Sequence, residues 1–320
     1  MSENSPIEWT RHTFNTHWGC NKVSPGCDNC YAQTLAARFG YGWGDGAAKR
    51  EFAPSHWNDL LVWDRKAAAA GERHRVFTNS MSDFFDKLAP AGVRELHYSY
   101  IERTPNLEHL LLTKRIGNVR GMVPAAWLEP GGWPKNVRIG ISLVDQKEAN
   151  RDVHKLLALN CPNFLSIEPQ LGPIDLRFCE YHTTGNEGDG NRWSLNLDAL
   201  SGFRATSMCS GVHGKKIDWV IAGGESGHKA RPAHPDWFRS LRDQCADAYT
   251  PFLFKQWGEW NPGNIQAASG APAVCIQKSG ATRPWPPAFD PASGSWCMHK
   301  VGKKAAGRLL DGVEHNGFPA

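Results

Sequence analysis

Short apolar runs recur along the chain, each ending in polar residues or glycine and usually followed by a stretch with helical periodicity. The runs lie at 13–17, 75–79, 109–113, 137–142, 164–167, 219–222 and 252–254. They are nearly continuous and rich in Val, Ile, Leu and Phe, as strands buried on both faces are. Helices are predicted at 28–39, 57–70, 93–104, 147–159 and 235–248. The first places Tyr31, Leu35 and Phe39 on one stripe, and the last places Trp237, Leu241 and Cys245 on another. Gly71, Pro105 and Pro162 supply stops after three of them. Strand and helix alternating this often predict an α/β protein with a mainly parallel sheet. No strand runs into a Gly-x-Gly-x-x-Gly turn, so a full or partial (β/α) barrel suits the pattern better than a dinucleotide-binding fold.

Two stretches break the rhythm. Residues 178–216 read as a polar, loop-like insertion, with Gly185, Gly188, Gly190, Gly202, Gly211 and Gly214. From Gly258 onward the chain carries Pro284-Trp285-Pro286-Pro287 and reads as irregular structure wrapped on the barrel. The expected organisation is therefore a barrel-like domain over 1–257, interrupted at 178–216, and a C-terminal extension over 258–320.

Composition narrows the function classes. A chain of 320 residues with 41% apolar side chains buries a substantial core unaided. The net charge of +4 excludes a polybasic tail but not a local basic groove. No apolar run reaches the roughly 18 residues of a membrane span, and residues 1–10 lack a signal-peptide pattern. A soluble, cytoplasmic protein is expected. Its nine cysteines, an odd number in a reducing compartment, then point to metal binding or reactive thiols rather than disulfides.

Three of those cysteines are Cys20, Cys27 and Cys30, spaced C-x6-C-x2-C just after the first predicted strand. Two metal readings follow. Three thiolates hold three irons of a [4Fe–4S] cluster and leave the fourth iron open to an exogenous ligand. Alternatively, His17 completes a closed four-ligand zinc site, which would make the chain a zinc-stapled nucleic-acid-binding protein without radical chemistry. Position weighs toward the cluster, because the C-terminal end of a barrel strand is where such folds place their active sites.

The loop after the first strand resembles that of radical S-adenosylmethionine (radical SAM) enzymes. The wider pattern resembles an uncharacterised phage and prophage family known for a three-Cys motif. The matching stretches are 20–31, 76–85 (VFTNSMSDFF), 110–115 (LLLTKR), 165–174 (LSIEPQLGPI), 219–232 (WVIAGGESGHKARP), 252–260 (FLFKQWGEW) and 301–312 (VGKKAAGRLLDG). The usual radical SAM spacing is C-x3-C-x2-C, and Asn29 stands here where an aromatic residue usually precedes the last cysteine; Tyr31 follows it instead. The resemblance implies a [4Fe–4S] cluster, S-adenosylmethionine cleaved to a 5′-deoxyadenosyl radical, and a reductant protein such as a flavodoxin. The phage setting adds a nucleic acid or nucleotide as the expected substrate.

The strand ends supply polar groups for such a cofactor. Asn79, Ser80, Ser82 and Asp83 follow the second strand, where radical SAM enzymes commonly bind the SAM amino group. Thr113 and Lys114 end the third strand, Ser142 the fourth and Glu168 the fifth, while Gly223, Gly224 and Glu225 follow the sixth and Lys255 ends the seventh. Glu168 and Lys255 are the candidate catalytic groups. A carboxylate at a buried strand end needs a partner, and Lys114, Arg115 and Lys255 are available to Glu168. Cys179 with His182, and Cys209 with His213, are candidates for a second zinc site in the insertion. Lys300, Lys303, Lys304 and Arg308, with Arg50, Arg65, Lys66, Arg73 and Arg75, are candidates for a basic surface.

Overall fold

In the computed structural model, which describes residues 2–184, 192–207, 210–262, 272–284 and 294–319, parallel strands stand where the apolar runs predict them. The chain divides into two compact units. One comprises Met1–Ser142 with Leu159–Phe164, the other Leu143–Ala158 with Leu165–Ala320.

The first unit carries β1 (His12–Phe14), α1 (Tyr31–Arg38), α2 (Asn58–Ala70), β2 (His74–Thr78), α3 (Val93–Arg103), β3 (Leu107–Thr113), α4 (Ile116–Val119) and β4 (Val137–Ser142). β1, β2, β3 and β4 pair in that order, all parallel. Parallel pairing brings their C-terminal ends to one edge. Phe14, Val76 and Leu107 from the strands meet Leu60, Trp63 and Ala67 of α2 and Val93 and Tyr100 of α3 in one apolar cluster. Leu60, Trp63 and Ala67 recur at the three- and four-residue spacing of a helix with one buried face. Each fully buried large side chain contributes roughly 1.5–3 kcal/mol.

The second unit carries α5 (Gln146–Leu157), β5 (Asn163–Ile167), β6 (Cys179–Thr184), β7 (Arg192–Asp198), β8 (Phe203–Ser207), β9 (Ser210–His213), β10 (Val220–Gly223), α6 (Pro235–Asp247), β11 (Phe252–Gln256), β12 (Trp260–Asn261), β13 (Ala273–Ile276), β14 (Thr282–Pro284), β15 (Trp296–Lys300) and α7 (Lys303–Ala306). The division crosses β5 itself. β5, β10 and β11 are parallel neighbours. The strand order in this sheet is β1-β2-β3-β4-β5-β10-β11.

Several expectations change. The first strand stops at Phe14, because Thr16 turns its backbone N–H to the Asn79 side chain at 2.8 Å instead of to a strand neighbour. The predicted helix at 28–39 begins only at Tyr31, and a 3₁₀ turn at Pro25–Cys27 precedes it. Tyr31 and Phe39, read as an inward stripe, are 53% and 60% exposed, and α1 packs through Ala32 and Ala36. The insertion is not a loop: β6-β7-β8-β9 form an antiparallel sheet. The extension likewise contains an antiparallel sheet, of order β12-β15-β13-β14. Among the described residues no helix is long and apolar enough to cross a membrane.

Candidate functional site

The three-cysteine loop belongs to the first unit and leaves the C-terminal end of β1. Ser24 caps the 3₁₀ turn, its hydroxyl accepting the Gly26 N–H at 3.1 Å. Cys27 ends that turn, and Cys30, in extended conformation, is the residue from which α1 starts. Gly19, with φ +108°, lets the chain double back so that its N–H donates to the Met81 carbonyl at 3.1 Å. All three cysteines are free and half-buried.

Around Cys20 the strand ends build an ion network. Arg115, just past β3, donates from Nη1 to Cys20 Sγ at 3.6 Å and to Asp83 Oδ2 at 2.9 Å, and from Nη2 to the Asn21 carbonyl at 3.0 Å. Asp86 lies 3.7 Å from Arg115 and 3.7 Å from Lys49, whose ammonium donates to Asn21 Oδ1 at 2.9 Å. Asp83 also accepts from Thr113 Oγ1 at 2.7 Å, Phe85 N at 3.0 Å and Lys114 N at 2.9 Å. Burial pushes the Cys20 thiol up, with Arg115 pulling the other way. Burial works against the Arg115 charge as well, but Asp83, Cys20 and Asp86 together outweigh it and hold the guanidinium charged.

The remaining predicted residues of this unit sit on the same strand ends. Asn79 adopts φ +67°, a left-handed conformation that asparagine tolerates better than most residues. Its Oδ1 accepts from Thr16 N–H and Oγ1 at 2.8 and 3.1 Å, which aims Nδ2 away from β1. That buried Nδ2 has no hydrogen-bond partner among the described residues. Ser80 Oγ accepts from Asn15 Nδ2 at 3.2 Å, and its carbonyl accepts from the Tyr31 hydroxyl at 2.7 Å. Lys114 Nζ donates to Ser142 Oγ at 2.8 Å, joining the ends of β3 and β4.

Cluster ligation calls for soft thiolate donors, and the donors present are of that chemical kind. The set offers three accessible soft thiols, one with a cationic N–H donor on its sulfur, and an orphaned amide donor nearby on the same sheet edge. Among the described residues, no group of three or more His, Cys, Asp and Glu side chains is already drawn together for a metal. His17, the fourth ligand of the zinc reading, is fully buried, with Nδ1 2.9 Å from Thr16 Oγ1, and desolvation lowers its pKa to about 4.

The remaining candidates belong to the second unit. Glu168, which precedes a cis proline, lies 3.1 Å from Lys255 Nζ and accepts from Ser166 Oγ at 3.3 Å. A Cβ on Gly223 would fall 2.8 Å from Glu168 Oε1, and one on Gly224 would fall 1.9 Å from the Trp257 carbonyl oxygen. These two glycines thus allow close packing against the ends of β5 and β11. Glu225 is clamped by Arg231, whose N–H, Nε and Nη2 donate to it at 2.7, 2.9 and 2.6 Å.

Among the described residues the candidates for the second zinc site are not drawn together. Cys179 is buried, with burial pushing its thiol up to about 12. His182 stands an odd number of residues away along β6, hence on the opposite face, and is exposed. His213 is exposed on β9, and Cys209 lies outside the described residues. Three of the basic residues are engaged locally. Arg50 stacks over Trp18 and Tyr41 at 4.6 and 4.5 Å, Arg75 pairs with Glu108 at 3.2 Å, and Arg308 pairs with Glu314 at 3.5 Å.

A family model described as "Protein of unknown function (DUF5131)" matches residues 4–319. No curated protein matches. Among solved structures, a spore photoproduct lyase mutant with bound AdoMet and dinucleoside spore photoproduct is 14% identical, at a TM-score of 0.37. That match covers 50% of this chain and 46% of the other, so the chain spans about half the length of the first structure it matches. A second mutant of the lyase is 12% identical over 77% of this chain and 76% of that one, at a TM-score of 0.40. Scores of this size do not carry an activity across.

Proposed function

We propose, for a chain that belongs to the DUF5131 family of proteins of unknown function, a radical SAM-type enzyme that holds a [4Fe–4S] cluster at Cys20, Cys27 and Cys30. The observation that carries this reading is the pairing of three half-buried thiols in one strand-end loop with a buried guanidinium donating to one of their sulfurs. Metal-bound cysteines are thiolates, and a buried cation donating to one sulfur stabilises that charge; three such ligands without a fourth leave one iron of a cluster open.

When bound, the cluster would supply the electron that splits S-adenosylmethionine into methionine and a 5′-deoxyadenosyl radical. The chain's own groups bind and orient. Asn79 Nδ2 offers a hydrogen bond to a carboxylate oxygen, while Ser80, Thr113 and Ser142 line the same edge with hydroxyls. Asp83 is occupied by Thr113, Lys114, Phe85 and Arg115, so its role here is to hold Arg115 against Cys20 rather than to bind the SAM amino group. In the second unit, Lys255 and Glu168 are a candidate proton donor and acceptor for substrate. Gly223, Gly224 and Glu225 shape the loop beside them. The substrate class we assign is a nucleic acid or nucleotide, on the strength of the sequence resemblance to the phage family.

The test is anaerobic reconstitution with iron and sulfide, followed by incubation with dithionite and S-adenosylmethionine, with and without nucleic acid. The expected products are 5′-deoxyadenosine and methionine, lost together with bound iron in Cys27→Ala. Purification with one zinc per chain and no 5′-deoxyadenosine would support the zinc reading instead.

A further inference from the structure

The cysteines of the extension have no partner at ligand spacing in sequence, yet the fold pairs two of them. β13 and β15 are antiparallel, with Cys275 directly opposite Cys297. The flanking Lys300 N–H donates to the Pro272 carbonyl at 2.8 Å, which makes residues 272 and 300 a hydrogen-bonded pair. Alternation along the ladder then makes 275 and 297 a non-hydrogen-bonded pair, where opposing Cα atoms approach to about 4.5 Å and side chains lie closest. That separation lies inside the range of roughly 4.4–6.8 Å that a disulfide spans. His299, two residues along β15 and so on the same face, places Nε2 3.6 Å from Cys297 Sγ. It is 5% exposed, and its Nδ1 has no hydrogen-bond partner among the described residues.

We propose that Cys275 and Cys297 are a redox-active dithiol, closed to a reversible disulfide by small-molecule disulfides of the oxidised-glutathione class, with His299 the base at Cys297. Cys297, half-buried where Cys275 is buried, is the sulfur that reacts first. His299 takes the Cys297 proton, and the thiolate attacks one sulfur of the small disulfide. That forms a mixed disulfide and expels one small thiol, which leaves with the bonding electron pair and a proton. Cys275 then loses its proton and attacks Cys297 Sγ, expelling the second small thiol. Two protein thiols have lost two protons and two electrons, and the small disulfide has taken up both. Burial, reinforced by Cys275, pushes the Cys297 thiol up to about 11, so closure at neutral pH is slow, in the range of hours rather than seconds. The pair does not depend on the cluster and stands whether or not the radical reading does.

The test uses the full-length protein incubated overnight with oxidised glutathione, alkylated, and digested without reductant for mass spectrometry. The expected result is a linked peptide pair joining Cys275 to Cys297, lighter by two hydrogens than its separate halves, restored by dithiothreitol and absent from Cys297→Ser. His299→Gln should slow its formation several-fold, and an unchanged rate would overturn the role of the imidazole. Recovery of Cys275 and Cys297 as separately alkylated or glutathionylated peptides would overturn the pairing. Because the mapping is made on the unsubstituted chain, it holds even if a serine variant fails to fold.

Discussion

Arg115 connects the two kinds of residue on which the candidate site depends, a sulfur in the cysteine loop and a carboxylate at the next strand ends. Its side chain is 11% exposed and Asp83's 7%, so this is a buried pair, and removing one partner leaves the other charge without compensation. Such a loss typically costs about 3–5 kcal/mol. Asp83 keeps its bonds from Thr113, Phe85 and Lys114, so Arg115→Ala should fall near the low end, about 3 kcal/mol, in denaturant titration. Arg115→Lys keeps the charge but loses the fork, and should cost less than half as much. In reconstituted protein, removing a cationic N–H donor from a ligating sulfur disfavours the more negative, reduced state. Arg115→Gln should therefore lower the reduction potential by an amount on the order of 60 mV, a tenfold change for one electron. A potential unmoved between the two proteins would mean that Arg115 serves packing alone. The cysteines were legible at this scale because their signal is local. Arg115 stands 95 residues from Cys20, and only the parallel order of β1, β2 and β3 brings it there.

At the scale of elements, strands buried on both faces announced themselves, since continuous Val, Ile, Leu and Phe runs have no other economical use in a chain of this kind. The two antiparallel sheets did not. In 193–198, Trp-Ser-Leu-Asn-Leu-Asp alternates apolar and polar side chains, the period of a half-exposed strand, with Leu197 buried and Ser194 exposed. The surrounding glycines read as loop, and tertiary pairing overrode them. At 223 and 224 glycine suggests close approach to a ligand, and the fold adds a requirement that sequence does not show: the atoms nearest to a Cβ there are Glu168 Oε1 and the Trp257 carbonyl oxygen, at neighbouring strand ends. Gly224→Ala would drive a methyl to 1.9 Å from the Trp257 carbonyl oxygen, a backbone atom that no rotamer change can move. We expect a loss of roughly 3 kcal/mol or failure to accumulate as folded protein, against less than 1 kcal/mol for a Gly117→Ala control, where no atom lies within 4 Å of the new Cβ and the backbone is helical. Thermal unfolding of the two variants decides it: equal melting temperatures would refute the backbone clash.

Over the molecule as a whole, the histidines set how stability responds to acid. His12 and His17 are held near pKa 4 by burial, His109 near 3, and His97 well below its ordinary value for the same reason. His97 and His109 pack edge to face with centroids 5.2 Å apart, His97 lies on Phe14, and Thr104 is within 2.9 Å of His109. Glu3 favours the charged form of His12 and Asp86 that of His17, but desolvation outweighs them. Each therefore folds neutral, while in the unfolded chain it binds a proton below its ordinary pKa of about 6.5. Folded-state values below the unfolded one mean that the unfolded chain takes up more protons as pH falls. Stability is then full above about pH 7 and declines through 6.5 toward the folded values near 4 and 3. For a group such as His17 the loss between pH 7 and pH 5 is about 2 kcal/mol, at the linkage rate of about 1.4 kcal/mol per pH unit. Asp311, lowered to about 2 by hydrogen bonds from Arg239 and then Arg242, acts in a separate window, its contribution being lost only as pH drops below about 4. The urea midpoint should accordingly fall steeply from pH 7 to pH 5 and more steeply than in His109→Leu, which removes one uncharged buried ring without adding a proton site. A midpoint constant across that interval in the unsubstituted protein would show that these rings exchange protons with solvent while the fold stays intact.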